Sequence, residues 1–101
     1  MMTENEIKSL CQSIGKVNKC IVNNRCFGNI ELDIITANGT RLRIFSDRGE
    51  YSCFIVKTGA LMEKTIPINK VVGTPNPIIF NSLYEAILYL KNNLSKIEPS
   101  V

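Results

Sequence analysis

The spacing of apolar side chains predicts a helix at the start of the chain. Thr3 and Glu6 have the spacing of a capping box, in which each side chain satisfies a backbone N–H of the first turn. Gly15 then supplies a stop signal. Between these signals the apolar residues recur at helical spacing: Ile7, Leu10, Cys11 and Ile14. The pattern indicates an amphipathic helix that packs on another element.

From Val17 to Lys57 the apolar period changes to two, which is typical of β-strands. Val17–Val22 and Phe27–Thr36 are predicted strands, separated by a turn at Asn23-Asn24. The second strand places its apolar side chains on one face: Ile30, Leu32 and Ile34. Its acids lie on the other face: Glu31 and Asp33.

Ala37-Asn38-Gly39 suits a three-residue hairpin loop, because Gly adopts the left-handed conformation that closes it. The resulting pairs are Leu32 with Ile44, Ile34 with Leu42, and Asp33 with Arg43. A two-residue loop would set Ile34 against Arg43 and expose half of the apolar residues, since a one-residue slip exchanges the faces. The apolar pattern therefore selects the longer loop.

Asp47-Arg48-Gly49 has the same form and predicts a second three-residue loop. The same rule gives the pairs Ser46 with Glu50, Ile44 with Ser52, and Leu42 with Phe54. In this register Phe54 and Val56 join the apolar face of the first hairpin. The other face then carries Phe45, Tyr51, Cys53 and Ile55, with Arg41 and Arg43 next along.

The remaining elements complete the predicted fold. Thr65–Val72 is a further predicted strand, which Pro67 confines to an edge or a bulge because proline lacks an N–H. A second amphipathic helix begins at Ser82, where the capping-box spacing recurs, and the tail 97–101 is expected to be frayed. The pattern over residues 1–101 therefore predicts a single α+β domain. It is a two-layer sandwich, with an antiparallel meander of about four to five strands and an amphipathic helix at each terminus.

Composition excludes most ordinary catalysis. The chain has no His, which removes Ser-His-Asp and Cys-His mechanisms and His-ligated metals. The six Gly stand singly at turns, so phosphate-binding glycine motifs are absent. Glu31 and Asp33 share a strand face without His or a Gly-rich loop, which is more typical of a solvated face than of a metal or acid–base site. We predict no catalytic residue, no cofactor, no metal and no enzyme activity.

Charge and cysteine usage bear on location. Twelve Lys and Arg against nine Asp and Glu give a net charge of +3, without the clustering that nucleic-acid binding usually shows. The four cysteines have no zinc-like spacing, and two disulfides would suit a secreted chain. No basic region followed by an apolar stretch opens the sequence, and no apolar run approaches the roughly 18 residues of a membrane span. We therefore expect a cytoplasmic protein with reduced core thiols and no membrane partner.

Cations and rings alternate on one predicted strand. Arg41, Arg43 and Phe45 share a face, with Tyr51 expected beside them on the next strand. Such a row suits a protein interface, because Tyr and Arg are enriched at binding hot spots. It also suits single-stranded RNA, through stacking and phosphate contacts. The simpler alternative is that Arg43 pairs with Asp33 across the hairpin.

The stretch 41–55, with its Asp47-Arg48-Gly49 turn between alternating strands, resembles small bacterial immunity proteins, including those of contact-dependent growth-inhibition systems. The chain length and the terminal amphipathic helix agree with this resemblance. Such proteins bind and block a toxin domain encoded beside them, and many of these toxins are nucleases. The resemblance implies a non-enzymatic cytoplasmic protein that occludes the active site of a cognate toxin.

Immunity proteins against basic nucleases are often acidic, and the net charge of +3 departs from that pattern. Local acids, namely Asp47, Glu50 and Glu63, are left to mimic phosphate. The residues predicted to contact the toxin are Arg41, Arg43, Phe45, Asp47, Arg48, Glu50, Tyr51 and Glu63. The alternative prediction is a small RNA-binding module that uses the Arg and aromatic face.

Overall fold

A computed structural model describes residues 2–15 and 17–98. The elements follow one another as α1 (Glu4–Gln12), β1 (Val17–Asn24), β2 (Ile30–Thr36), β3 (Arg41–Asp47), β4 (Glu50–Thr58), β5 (Glu63–Pro67), α2 (Ile68–Val72), β6 (Ile79–Phe80), α3 (Leu83–Asn92) and α4 (Leu94–Ile97). A 3₁₀ turn at Cys26–Gly28 lies between β1 and β2. The chain is α+β, as the sequence predicts.

The strands form one antiparallel meander in the order β1-β2-β3-β4-β5. The short β6 pairs with β4 through Tyr51 and Ser52. On the side away from β3, β4 therefore has β6 beside its start and β5 beside the rest of its length. Because every connection in the meander joins neighbouring strands, the β1–β2 and β3–β4 connections lie at the same end of the sheet. We call this end, which also holds the starts of α1 and α3, the loop end.

The helices bury one face of the sheet. That face presents Leu32, Ile34, Leu42, Ile44, Cys53 and Ile55. From the helices come Ile7, Cys11, Ile68, Leu83, Ala86, Ile87, Leu90 and Ile97. Burying a large aliphatic side chain stabilises a fold by roughly 1.5–3 kcal/mol, so this interface makes a large favourable contribution to folding. Within residues 2–15 and 17–98 the opposite face carries no helix, and we call it the open face.

Both predicted helix starts are present. At α1 the Thr3 hydroxyl accepts from the Glu6 N–H at 3.1 Å, and the Glu6 carboxylate accepts from the Thr3 N–H at 3.0 Å. At α3 the Ser82 hydroxyl accepts from the Glu85 N–H at 3.1 Å. The Glu85 carboxylate accepts from the Asn81 N–H instead of the Ser82 N–H, so only half of the second capping box forms.

The register of the first hairpin confirms the three-residue loop. The observed pairs are Leu32 with Ile44, Asp33 with Arg43, and Ile34 with Leu42. Gly39 adopts a φ of 87°, and the Thr36 N–H donates to the Thr40 carbonyl at 2.9 Å to close the loop. This register places Leu32, Ile34, Leu42 and Ile44 together on the helix-covered face, whereas Ile35 and Phe45 lie on the opposite face.

The predicted register of the second hairpin is wrong by one residue. Asp47 pairs with Glu50 and Ser46 with Tyr51, so the turn contains two residues. Arg48 and Gly49 have φ values of 55° and 78°. Two consecutive left-handed residues make a type I′ turn, whose twist matches that of the flanking strands.

This slip exchanges the faces of β4. Its core-facing residues are Tyr51, Cys53 and Ile55, whereas Phe54 pairs with Arg43 and Val56 with Arg41 on the open face. The predicted placement of Phe54 and Val56 in the helix-covered core is therefore wrong. Because β4 is apolar on both sides, its sequence pattern does not distinguish the two registers, and the turn decides between them.

Three boundaries also differ from prediction. Asn23-Asn24 is not a turn, because β1 continues through both residues in register with β2, which starts at Ile30 rather than at Phe27. The predicted strand Thr65–Val72 divides at Pro67, where α2 begins. A proline without an N–H ends an edge strand and starts a helix at little cost, since the first helical N–H groups have no intrahelical partner.

The predicted frayed tail is partly ordered. Ile97 is buried in the core as the last residue of α4. The Thr36 hydroxyl donates to the Glu98 carboxylate at 2.6 Å, which ties this segment to the end of β2. Residues 99–101 lie outside the described residues.

The left-handed conformation of Arg48 makes a test of the turn. We expect Arg48→Asn to raise the free energy of unfolding by about 0.5–1 kcal/mol, because Asn tolerates positive φ better than Arg does. Urea unfolding measures this change, with Asp47→Asn as a control that stays within about 0.5 kcal/mol. A three-residue loop would leave Arg48 right-handed, and Arg48→Asn would then give no gain.

Candidate functional site

A buried carboxylate organises the open face. Asp33 on β2 is only 1% exposed although no described helix covers it, because two arginines on β3 enclose it. Arg43 donates to its two oxygens at 2.7 and 3.0 Å, and Arg41 donates through Nε at 2.9 Å. Among the described residues, every buried side-chain N or O atom has a hydrogen-bond partner. The predicted alternative, in which Arg43 pairs with Asp33 across the hairpin, is confirmed.

The ion pairs continue beyond this centre. Glu63 on β5 lies 2.8 Å from Arg41 and 3.5 Å from Arg43. Glu31 lies 4.0 Å from Arg43 and 3.0 Å from Arg25, which belongs to the β1–β2 connection. The resulting network contains three arginines and three acids, so its formal charges cancel: Arg25, Arg41, Arg43, Glu31, Asp33 and Glu63.

Electrostatics within the network follow from this geometry. Burial by itself raises the pKa of Asp33, but the hydrogen bonds from Arg43 and Arg41 outweigh it and hold the pKa of the carboxyl below its ordinary value. The same contact with Asp33 raises the pKa of Arg43. Asp33 therefore stays ionised, and both guanidinium groups stay engaged. The RNA interpretation of this face relied on free cations, and the pairing removes that support.

The predicted row on the open face is present only in part. Arg41, Arg43 and Phe45 share the face, as predicted, and Phe45 is partly exposed. Tyr51 is not beside them, since the one-residue slip of β4 turns it to the helix-covered face. Glu63 binds the arginines at the far end of the sheet from the β3–β4 turn. Of the eight predicted residues, three therefore belong to the ion network, four lie at the loop end, and Phe45 lies on the open face outside both.

The loop end brings together four of the predicted residues. Asp47, Arg48 and Glu50 are exposed around the type I′ turn. Between this turn and the β1–β2 connection lies a cleft of about 380 Å³, and Tyr51 lines it. The Ile30 N–H donates to the Ser46 hydroxyl at 2.7 Å, which fixes the two connections relative to each other.

Phe27 is the residue of this end that the sequence pattern missed. It lies in the 3₁₀ turn with a φ of 60°, and its side chain is fully exposed. A bulky side chain with positive φ is an uncommon, strained conformation, and such strain concentrates at binding sites. The turn persists because the Arg25 N–H donates to the Asn29 carbonyl at 2.7 Å. The available signal was an aromatic residue directly before Gly28 in a polar stretch.

A larger groove adjoins the cleft on the helix side. Its volume is about 710 Å³, and its walls come from the starts of α1 and α3, the end of β1 and the β1–β2 connection. The apolar side chains that line it are Met2, Ile7, Val22, Ile30, Leu83, and the rings of Tyr51 and Tyr84. Tyr84 is 57% exposed at the start of α3. Because Tyr51 lines both spaces, the cleft and the groove form one continuous concave surface.

This surface has the chemistry of a binding site. Within residues 2–15 and 17–98, no group of three or more Cys, Asp or Glu is placed to hold a metal ion. No helix in those ranges is long and apolar enough to cross a membrane. What the loop end does offer is an apolar concavity, an exposed ring and a turn with both charge signs, which are typical components of a protein interface.

The Asp33 network makes a stability prediction. We expect Asp33→Asn to lower the free energy of unfolding by about 2–3 kcal/mol, because two guanidinium groups lose their shared carboxylate. Glu63→Gln is the control, with a loss below about 1 kcal/mol, since Glu63 is largely solvated. Chemical unfolding at neutral pH measures both variants.

The same carboxylate sets a pH dependence. Its folded-state pKa is lowered, so its stabilisation is fully present above the unfolded pKa of about 3.9 and is lost as the pH falls through the folded pKa. We therefore expect the stability difference between the parent protein and Asp33→Asn to shrink below about pH 4. A difference that stayed constant through this range would contradict the assignment.

Known proteins supply no template for this surface. No family model, curated protein or solved structure matches the chain. The surface combines three features: Phe27 fully exposed on a left-handed backbone, the groove beside it, and the charged β3–β4 turn across the cleft.

Proposed function

We propose that this protein is an immunity protein that binds a cognate bacterial toxin domain, a nuclease, and blocks its active site by steric occlusion. The resemblance of residues 41–55 to immunity proteins supports the class of function. The observation that carries the binding mode is Phe27, a fully exposed ring on a strained backbone that lines the cleft next to the apolar groove. The loop end is the surface that meets the toxin.

Phe27 acts as the anchor of this interface. Its ring makes no compensating burial in the free protein, so docking against a partner gains the apolar area of a whole aromatic side chain. Tyr51 and Tyr84 line the groove behind it, where a side chain of the toxin inserts. Hot spots of this kind pair an exposed anchor on one partner with a pocket on the other.

The surface of the protein is large enough for such a complex. A standard interface buries about 800 Å² on each partner. The accessible surface of this protein is 6567 Å², so an interface of that size takes about an eighth of it. We place its centre at the cleft and the groove, which are lined by the β3–β4 turn, the β1–β2 connection and the starts of α1 and α3.

The charged turn supplies orientation. Asp47 and Glu50 project beside Arg48 at the tip of the hairpin, outside the neutral network of the open face. Acidic side chains at this position meet the cationic groove with which a nuclease holds phosphate. Because the acids are local, this contact is compatible with a net charge of +3.

Co-expression tests the function directly. We expect the protein to restore growth of bacteria that express the toxin domain encoded beside its gene, and to co-elute with that domain on gel filtration. An unrelated toxin of the same reaction class serves as the specificity control. Absence of rescue together with absence of a complex would exclude the proposal.

Alanine substitution at Phe27 tests the surface. A hot-spot ring is worth 2 kcal/mol or more, so Phe27→Ala is expected to weaken the Kd for the toxin by about 30-fold. Leu61→Ala is the matched control, because Leu61 is equally exposed but lies in the β4–β5 connection at the opposite end of the sheet.

We expect Leu61→Ala to change the Kd less than about threefold, and both variants to keep the Tm of the parent protein within about 2 °C. Titration calorimetry gives the affinities. An equally small effect of both substitutions would place the interface elsewhere on the surface and leave the rescue result unaffected.

A further inference from the structure

Two cysteines meet where α1 packs on the sheet. Cys11 lies in the last turn of α1 and is fully buried, and Cys20 lies on the edge strand β1 and is half-buried. Their sulfur atoms are 3.1 Å apart, within hydrogen-bonding distance. A disulfide bond has a sulfur–sulfur length of about 2.05 Å, so the two atoms need to approach by about 1 Å to form one.

The other two cysteines lie in different environments. Cys26 is exposed in the 3₁₀ turn. Cys53 is buried on β4, where burial raises the pKa of its thiol to about 12 and keeps it protonated. A thiolate is the reactive form of cysteine, so Cys53 is inert at neutral pH. Cys11 and Cys20 differ from Cys26 and Cys53 because each of their sulfur atoms already lies next to the other.

We propose that Cys11 and Cys20 form an oxidisable dithiol, which a peroxide converts into an intramolecular disulfide bond. The Cys20 thiolate attacks one oxygen of hydrogen peroxide, the O–O bond breaks, and Cys20 becomes a sulfenic acid as hydroxide leaves. The Cys11 sulfur then attacks the Cys20 sulfur, the S–O bond breaks, and water leaves with the Cys11 proton. In total two thiols lose two electrons and two protons, and one peroxide is reduced to two waters.

The environment assigns these two roles. Hydrogen bonding with Cys11 and the positive charge of Lys8 lower the pKa of Cys20, against the opposing effects of burial and of Glu4. The shared hydrogen bond and burial raise the pKa of Cys11. Cys20 is also the more accessible of the two, so it is the residue that meets the peroxide. Cys11, held 3.1 Å away, resolves the sulfenic acid before a second peroxide arrives.

The bond joins two elements that otherwise meet only through side-chain packing. It links the end of α1 to an edge strand that has one neighbouring strand, β2. Cross-linking this short loop restricts the unfolded chain, so oxidation is expected to raise the Tm by roughly 10 °C.

Peptide mapping tests the proposal on the full chain. The protein is treated with one equivalent of hydrogen peroxide and unfolded in guanidinium chloride, where iodoacetamide blocks every remaining thiol. Trypsin then cleaves after Lys16 and Lys19, which separate the two cysteines. The expected product is a cross-linked pair of peptides containing Cys11 and Cys20, which dithiothreitol separates. Cys26 and Cys53 are expected to carry the iodoacetamide label.

Two variants complete the test. Cys26→Ser is expected to form the cross-link and to show the same rise in Tm as the parent protein. Cys20→Ser, a half-buried position that tolerates the change, is expected to lose both. The proposal is overturned if peroxide leaves Cys20 as a sulfinic acid without cross-linked peptides, or if the product is a dimer joined through Cys26.

Discussion

One-sided burial of the sheet is the constraint on which the rest of the structure depends. The helices that precede and follow the strands all contact the face of Leu32, Leu42 and their neighbours. The open face therefore needs stability from within the sheet, and Asp33 provides it by drawing two arginines over the strands. Burying the Asp33 carboxylate without these partners would cost several kcal/mol of desolvation free energy, so the buried carboxylate depends on both arginines.

The strength of the apolar pattern decides how much of this fold can be predicted. On β2 and β3 the helix-facing positions are mainly apolar and the open-face positions mainly charged, with Ile35 and Phe45 as exceptions, so a single register satisfies both strands. On β4 both faces carry apolar residues, so the pattern is compatible with either register. The turn then decides, and Arg48 does not carry the Asn or Gly signal that normally marks a left-handed first position.

The candidate site divides in the same way. Asp47 and Glu50 flank a turn that Gly49 marks in the sequence. Their exposure was therefore predictable even though the predicted register was wrong. Phe27 was not, because aromatic residues normally pack and only the loop geometry turns this one outward. The Cys11–Cys20 contact was equally hidden, since it depends on how a helix lies across a strand rather than on spacing along the chain.

Arg25 contacts both the ion network and the loop end. Its side chain binds Glu31, the outer acid of the network, while its backbone N–H closes the turn that holds Phe27 in a strained conformation. Arg25 thus contacts the sheet through its side chain and the turn through its backbone. A strained exposed ring is useful for binding only if its position is fixed beforehand, because ordering it on association would consume part of the gain. In the proposed complex, the Arg25–Glu31 ion pair helps to hold the turn that carries Phe27, whereas Arg41 and Arg43 are paired with their own acids.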